Sequence, residues 1–303
     1  MITFAIPFYK NATLLRQTLE SVTAQTSDQW RVIVCDDGGQ QEGRAVVEAM
    51  RDPRMQYHAN PQPLGMVGNW NACLDRVETS YATLLHADDT LLPTYTAEML
   101  AAWERHPGAA LLFCRARVID AHGKPVFSFP DWVKTWLMPA PRAVFTVEGD
   151  AGLASLLRGC YIFCPTVCFR RAGGFAHFAP WKQVQDLDLW ARLLEQGAHF
   201  VGLPFYGYAY RRHAANATAL QTQTLLRFEE EALLYSQIAE RAHARGWVQS
   251  YRTARQRTIL KLNLLYCAVK DAVRFQWAGV WAKGGLLLRL SGRRVERQLF
   301  QNK

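Results

Sequence analysis

Between Ile2 and Cys114 short apolar runs alternate with stretches of helical period, and this alternation constrains the fold more than any other feature of the chain. Ile2–Ile6, Trp30–Cys35, Met55–His58, Tyr81–Leu85 and Ala109–Cys114 each read as a strand. Pro7 closes the first run, and Asp36-Asp37-Gly38-Gly39 closes the second. His86-Ala87-Asp88-Asp89 follows the fourth. Between the runs, Leu14, Leu15, Thr18, Leu19 and Val22 recur at helical spacing behind Asn11 or Thr13 as a cap. Further helices are expected over 42–51, 69–77 and 95–105. Strand, helix, strand in repetition predicts an α/β fold: a mainly parallel sheet flanked by helices and joined by right-handed crossovers. No GxGxxG follows the first strand, so a dinucleotide fold is not indicated, and no Walker loop is present either.

Regularity fades from Phe127 to Val147, where Pro130, Pro139 and Pro141 mix with Trp132 and Trp136; this segment reads as an aromatic loop, either over a site or packed against the body. Helices are expected over 152–158 and 186–196, with strands over 164–170 and 199–203. Gly197 stops the second of these helices. Beyond Thr222 the pattern becomes helical throughout, over 225–244, 250–274 and 277–290. A boundary near residue 220 therefore separates an α/β domain, 1–219, from a helical C-terminal region, 220–303.

Charge divides at the same place. Residues 1–219 hold 20 Lys/Arg against 20 Asp/Glu, while residues 220–303 hold 15 against 6, which is the whole net charge of +9. The tail combines helix-period apolar residues with arginines and with Trp277 and Trp281. Two readings of residues 250–303 stand side by side: an interfacial element on an anionic membrane surface, and a helical subdomain with a solvated basic face. Nucleic acid is not an expected partner, since no recognised motif accompanies the charge. The seven cysteines are odd in number and no secretory leader pattern precedes Ile2, so reduced thiols and a cytoplasmic location are expected. Cys160, Cys164 and Cys168 lack paired CxxC spacing and read as small core residues rather than as metal ligands.

Asp36/Asp37 and Asp88/Asp89 both fall at C-terminal ends of predicted strands, which in a parallel sheet share one edge. Carboxylates gathered there suit a divalent cation held by few protein ligands and completed by substrate phosphates. Asp88 and Asp186 each have a plainer reading as helix caps.

Six segments in order carry a resemblance: Ile6-Pro7-Phe8-Tyr9-Lys10-Asn11, Val34–Gly39, Leu64–Asn71, Leu85–Asp89, Gln185–Trp190 and Tyr210–Asn216. Over roughly residues 1–216 the chain resembles the inverting family 2 glycosyltransferases of the GT-A fold, of the bacterial envelope-polysaccharide type. The resemblance implies a nucleotide-diphosphate sugar as donor, a UDP-sugar being favoured, and a glycan or lipid-linked glycan hydroxyl as acceptor. It implies Pro7, Tyr9, Asp36 and Asp37 at the base-and-ribose end of the donor site, with Asn69 alongside. It puts His86-Ala87-Asp88 in the place of the DxD motif, Asp88 and Asp89 on a Mn²⁺ or Mg²⁺ ion, and Asp186 as general base. It brings Arg211 and Arg212 to the phosphates and His213 to the diphosphate or the metal. Three residues depart from the family pattern. His86 stands in the first DxD position, Gln185 where Glu is common before the base, and Lys10 between Tyr9 and Asn11.

The implied chemistry is a single displacement in which Asp186 takes the proton of the attacking hydroxyl while the metal offsets charge on the departing diphosphate. Two other functions compete. One is a catalytically inactive nucleotide-sugar or glycan-binding module, which His86 favours and the intact Asp88, Asp89 and Asp186 oppose. The other is a sugar nucleotidyltransferase, which would want a Gly-rich basic loop where Pro7-Phe8-Tyr9-Lys10 stands.

Overall fold

The computed structural model describes residues 1–39, 41–171, 174–212 and 225–291. Its centre is one mixed sheet of nine strands: β1 (Ile2–Phe8), β2 (Trp30–Asp36), β3 (Met55–Ala59), β4 (Tyr81–Leu84), β5 (Thr90–Leu91), β6 (Leu111–Ile119), β7 (Phe145–Glu148), β8 (Val167–Arg170) and β9 (His199–Arg211). The order is β3-β2-β1-β4-β8-β6-β9-β5, with β7 pairing β9. The first four strands in space are parallel, as the alternation predicts. β8 then runs antiparallel to both β4 and β6, so the other half is mixed.

Helices α1 (Ala12–Thr23), α2 (Gln41–Ala49), α3 (Gly65–Asp75) and α4 (Tyr95–Arg105) follow the early strands. Asn11 caps α1, its Oδ1 accepting the Leu14 N–H at 3.2 Å. Apolar positions Leu15, Leu19 and Val22 are buried with Ile2, Phe4, Trp30 and Val32 on one side of the sheet. β1 runs through Pro7 instead of stopping before it. Proline is tolerated there because β4 ends at Leu84, opposite Ala5, leaving β2 as the strand paired with Pro7.

Four further expectations change. The stretch 127–147 is not a loop: it holds α5 (Phe129–Leu137) and most of β7. The segment 164–170 opens with a 3₁₀ turn, Cys164–Thr166, before β8. The pattern over 250–274 is two helices, α9 (Val248–Gln256) and α10 (Thr258–Val273), broken at Arg257, whose φ is 51°. Finally, the packing does not divide at residue 220. Leu234, Tyr235 and Ile238 of α8 (Leu226–Ala244) and Ala254 of α9 lie in the same core as Leu153 and Leu156 of α6 (Gly149–Leu157) and Trp190 of α7 (Gln185–Glu195). Asp150 of α6 accepts the Gln249 and Ser250 N–H groups at 2.9 and 2.7 Å, capping α9 from another element. α10 and α11 (Trp277–Ser291) have a small core of their own, Leu260, Leu264, Cys267, Leu286 and Leu290, built on Phe228 and Ala232. All seven cysteines are free thiols, and all but the half-buried Cys160 are buried.

Candidate active site

The parallel half brings Tyr9, Asp37 and the segment after Leu84 to one sheet edge. Asp36 is fully buried, and its Oδ1 accepts the Gly38 and Gly39 N–H groups at 2.8 and 3.0 Å. Its Oδ2 accepts the Tyr57 hydroxyl at 2.5 Å. Asp37 Oδ1 accepts the Leu64 N–H at 2.7 Å and Asn60 Nδ2 at 2.9 Å, and Oδ2 accepts the Gly65 N–H at 2.8 Å. Gly65 has φ +73°, a conformation that admits little but glycine where α3 begins. Asn69 donates to the Phe8 and Cys35 carbonyls at 3.2 and 3.0 Å and accepts from Asn60 at 2.9 Å. These three polar residues therefore build one wall of this edge by tying β1, β2 and α3 together. The Asn60 Oδ1 beside them is buried with no hydrogen-bond partner among the described residues. Tyr9 is exposed at the rim and Pro7 is half-buried.

After β4, the backbone turns through His86, Asp88 and Asp89, whose ligand atoms lie within 4.8 Å of one another. Asp88 does not cap a helix: β5 follows it, and Thr94 holds the N-cap position of α4. Asp89 is 1% exposed. Its Oδ1 accepts the Arg211 N–H at 2.6 Å and its Oδ2 the Tyr208 hydroxyl at 2.9 Å. Burial and the Asp88 charge push the Asp89 carboxyl well above the usual range, against the pull of those two donors. His86 stacks on Trp70 with ring centroids 5.2 Å apart. Its Nδ1 stands 3.7 Å from Asp89 Oδ2, while its Nε2 is buried with no partner among the described residues. Burial lowers the His86 pKa, although Asp88 opposes this, which favours the neutral, metal-binding imidazole. His86 and Asp88 would hold a divalent cation here, with Asp89 behind them already engaged in two hydrogen bonds.

Arg211 is not placed to meet a phosphate. Its side chain is buried and donates to the carbonyls of Asp88 at 2.7 Å, Asp120 at 3.3 Å and Ala121 at 3.1 Å, and to Gln17 Oε1 at 2.9 Å. It is a tie across the end of β9. Arg212 forms a two-pronged bond to Asp131 of α5, at 2.6 and 2.9 Å, holding that helix against the sheet. His213 lies outside the described residues.

Asp186 sits in the first turn of α7, one residue past the start, and Val184 takes the N-cap position. Its Oδ1 accepts the Leu187 N–H at 2.8 Å. Burial raises the Asp186 pKa above the ordinary carboxylate value, while the Leu187 N–H, Lys134 and Arg227 act against it. Glu231 of α8 is raised by burial too, and the Asp186 charge adds to the shift. Lys134 stands over the Phe163 ring at 4.4 Å, and Phe163 meets Tyr210 with centroids 5.5 Å apart. Trp70, Asn60, Lys134 and Glu231 are candidate site residues that sequence reasoning did not assign. Trp70 lies inside the segment Leu64–Asn71 and Asn60 shortly before it, but nothing local marks Lys134 or Glu231.

A mixed sheet whose parallel half ends in a carboxylate-lined edge, with a His-Asp-Asp group after β4, is the arrangement of the GT-A fold. Residues 3–138 match the family described as glycosyl transferase family 2. The chain is 22% identical over 247 residues to the UDP-Glc:alpha-D-GlcNAc-diphosphoundecaprenol beta-1,3-glucosyltransferase WfaP of Escherichia coli, covering 81% of this chain and 89% of that one. Residues 1–349 of S. aureus TarS, solved with UDP-GlcNAc, superpose with TM-score 0.64 at 15% identity over 97% of this chain and 82% of that one. The mannosyltransferase PcManGT of Pyrobaculum calidifontis, solved with GDP-Man and Mn²⁺, gives TM-score 0.58 at 14% identity over 95% and 83%. At such identities the solved structures speak to the fold alone.

Proposed function

We propose that this enzyme transfers a sugar, with inversion, from a UDP-sugar to a hydroxyl of a lipid-linked glycan in the assembly of cell-envelope polysaccharide. The observation that carries the donor half is the His86, Asp88 and Asp89 group at the donor edge of the sheet. The choice of UDP and of a lipid-linked acceptor draws on the names of two similar proteins, WfaP and the TarS complex. Mn²⁺ or Mg²⁺, held by His86 and Asp88, would supply charge stabilisation for the departing diphosphate. Asp37, Asn60 and Tyr9 surround the nucleoside end, and the unpartnered Asn60 Oδ1 offers an acceptor for a base N–H. Asp186, half-buried in the first turn of α7, takes the proton of the attacking hydroxyl. Lys134 steadies the ionised form of Asp186 between turnovers. The enzyme is placed in the cytoplasm, on the inner face of the membrane. Among the described residues no helix is long and apolar enough to cross a membrane.

A panel of sugar nucleotides, each with Mn²⁺, Mg²⁺ or chelator, tests the reading by thermal shift. UDP-sugars are expected to raise the melting temperature only with metal. Stabilisation that ignores metal, or that appears with none of the panel, would overturn it.

A further inference from the structure

α5 is amphipathic in an unusual sense, because both of its faces are committed to polar or aromatic work. Asp131 and Lys134 turn inward, to Arg212 and Phe163. Phe129, Trp132 and Trp136 recur at helical spacing on the outer side, and the two tryptophans are 54% and 75% exposed. Beside them is an open cleft of about 210 Å³, lined by Arg115, Trp132, Thr135, Trp136, Pro141 and Arg142. Arg115 stacks on the Tyr206 ring at 4.3 Å, which occupies its face and leaves its N–H edge to bind oxygen. Among the described residues neither Arg115 nor Arg142 has a carboxylate partner, whereas Arg212 has one in Asp131. Two unneutralised guanidiniums beside two indoles fit an anionic head with an apolar or pyranose portion, and they do not fit a neutral sugar alone.

The apolar rim runs on from the cleft. Phe129 meets Tyr266 of α10 with ring centroids 5.8 Å apart. Beyond it Leu262, Leu265, Val269 and Val273 form an exposed stripe on a region that carries the whole net positive charge of the chain.

We infer that this cleft holds the diphosphate of a lipid-linked acceptor, with Arg115 and Arg142 on the phosphate oxygens and the tryptophan edge lying at the bilayer surface. The inference rests on the lipid-linked-acceptor reading given above and adds the residues and the chemistry by which that acceptor is held.

Flotation with phosphatidylcholine vesicles tests it in three versions: plain, doped with a polyprenyl diphosphate, and doped with phosphatidylglycerol to the same surface charge. The full chain is expected to bind the diphosphate vesicles most tightly. Arg142→Gln, on an exposed loop, is expected to weaken that binding about tenfold, and Arg115→Gln/Arg142→Gln more, since each charged hydrogen bond contributes about one decade. Binding to the phosphatidylglycerol vesicles is expected to fall much less. Equal losses on the two charged vesicle types would overturn a diphosphate site in favour of a general basic patch. Soluble inorganic pyrophosphate that competes fully, with vesicles adding nothing to affinity, would overturn the lipid source. UDP binding by the unmodified chain with Mn²⁺, measured by calorimetry, reports the donor reading separately. If UDP binds and the vesicle preference is missing, the cleft assignment fails while the glycosyltransferase function stands.

Discussion

Removing the Asp89 carboxylate would leave the Arg211 N–H and the Tyr208 hydroxyl buried without an acceptor, a cost of about 1–3 kcal/mol for each. Asp89→Ala is therefore expected to lower the urea midpoint sharply. Asp88→Ala, one residue away, is expected to lower the midpoint less and to abolish metal-dependent UDP binding in calorimetry. Equal stability losses in the two variants would contradict this division of labour between neighbours. Asp186→Asn is expected to fold and to bind donor while transfer falls by about 10²–10⁴-fold, the usual contribution of a general base. The raised pKa of Asp186 sets a sign for pH. Only the ionised form accepts a proton, so the acid limb of kcat/KM should lie above the ordinary carboxylate range. Lys134 holds that pKa down, so Lys134→Met should move the limb to still higher pH; a limb that stays put would remove Lys134 from the site. The motif residues were legible in the sequence, since Asp36, Asp37, Asp88 and Asp186 all stand out locally. Their partners were not. Arg211 reads as a phosphate ligand until its bonds to Asp88, Asp120 and Gln17 are seen, and those residues are remote in sequence.

Elements were legible where apolar runs were long. β1, β2, β4 and β6, with α1 and α4, fall within a few residues of expectation. β5 has two residues, too few for any period to show, and it exists because Thr90 and Leu91 find Ala209 and Tyr208 across the sheet. α5 was hidden by Pro130, Pro139 and Pro141, although Pro130 lies in its first turn, where proline is tolerated, and the other two lie beyond its end. The helix is short for one that must keep its place alone, and the Arg212–Asp131 bond anchors it. Asp131 is 4% exposed, and burial alone would raise its pKa. Arg212 and Lys134 bring it below the ordinary value instead. Arg212→Ala leaves that carboxylate buried and unpaired and is expected to cost about 2 kcal/mol, discounted because Arg212 is partly solvated. Hydrogen exchange should locate the loosening in residues 129–137, and an effect spread evenly over the chain would count against the anchor.

At the scale of the molecule, charge and packing divide the chain at different places. The charge boundary falls near residue 220, and composition finds it readily. The packing boundary falls near Arg257, where α9 gives way to α10. A chain ending at residue 256 is expected to keep the main core and melt cooperatively. One ending at residue 224 loses Leu234, Tyr235 and Ile238 from that core, each worth about 1.5–3 kcal/mol of burial, and is expected not to fold. Circular dichroism melts of the two truncations check both outcomes. Sequence reasoning placed the boundary early because helical period reports what a segment is and not what it packs on.

β9 serves as a common beam under both ends of the enzyme. Tyr208 and Arg211 fasten it to Asp89 beside His86 and Asp88, while Tyr206 supports Arg115 in the cleft. Just past its end, Arg212 bolts down α5. For protein engineering this makes 127–148 an exchangeable cassette. Swapping that stretch between relatives should re-tool acceptor choice without retuning the nucleotide half, provided the graft keeps an acid for Arg212 to grip and a lysine at position 134 for Asp186.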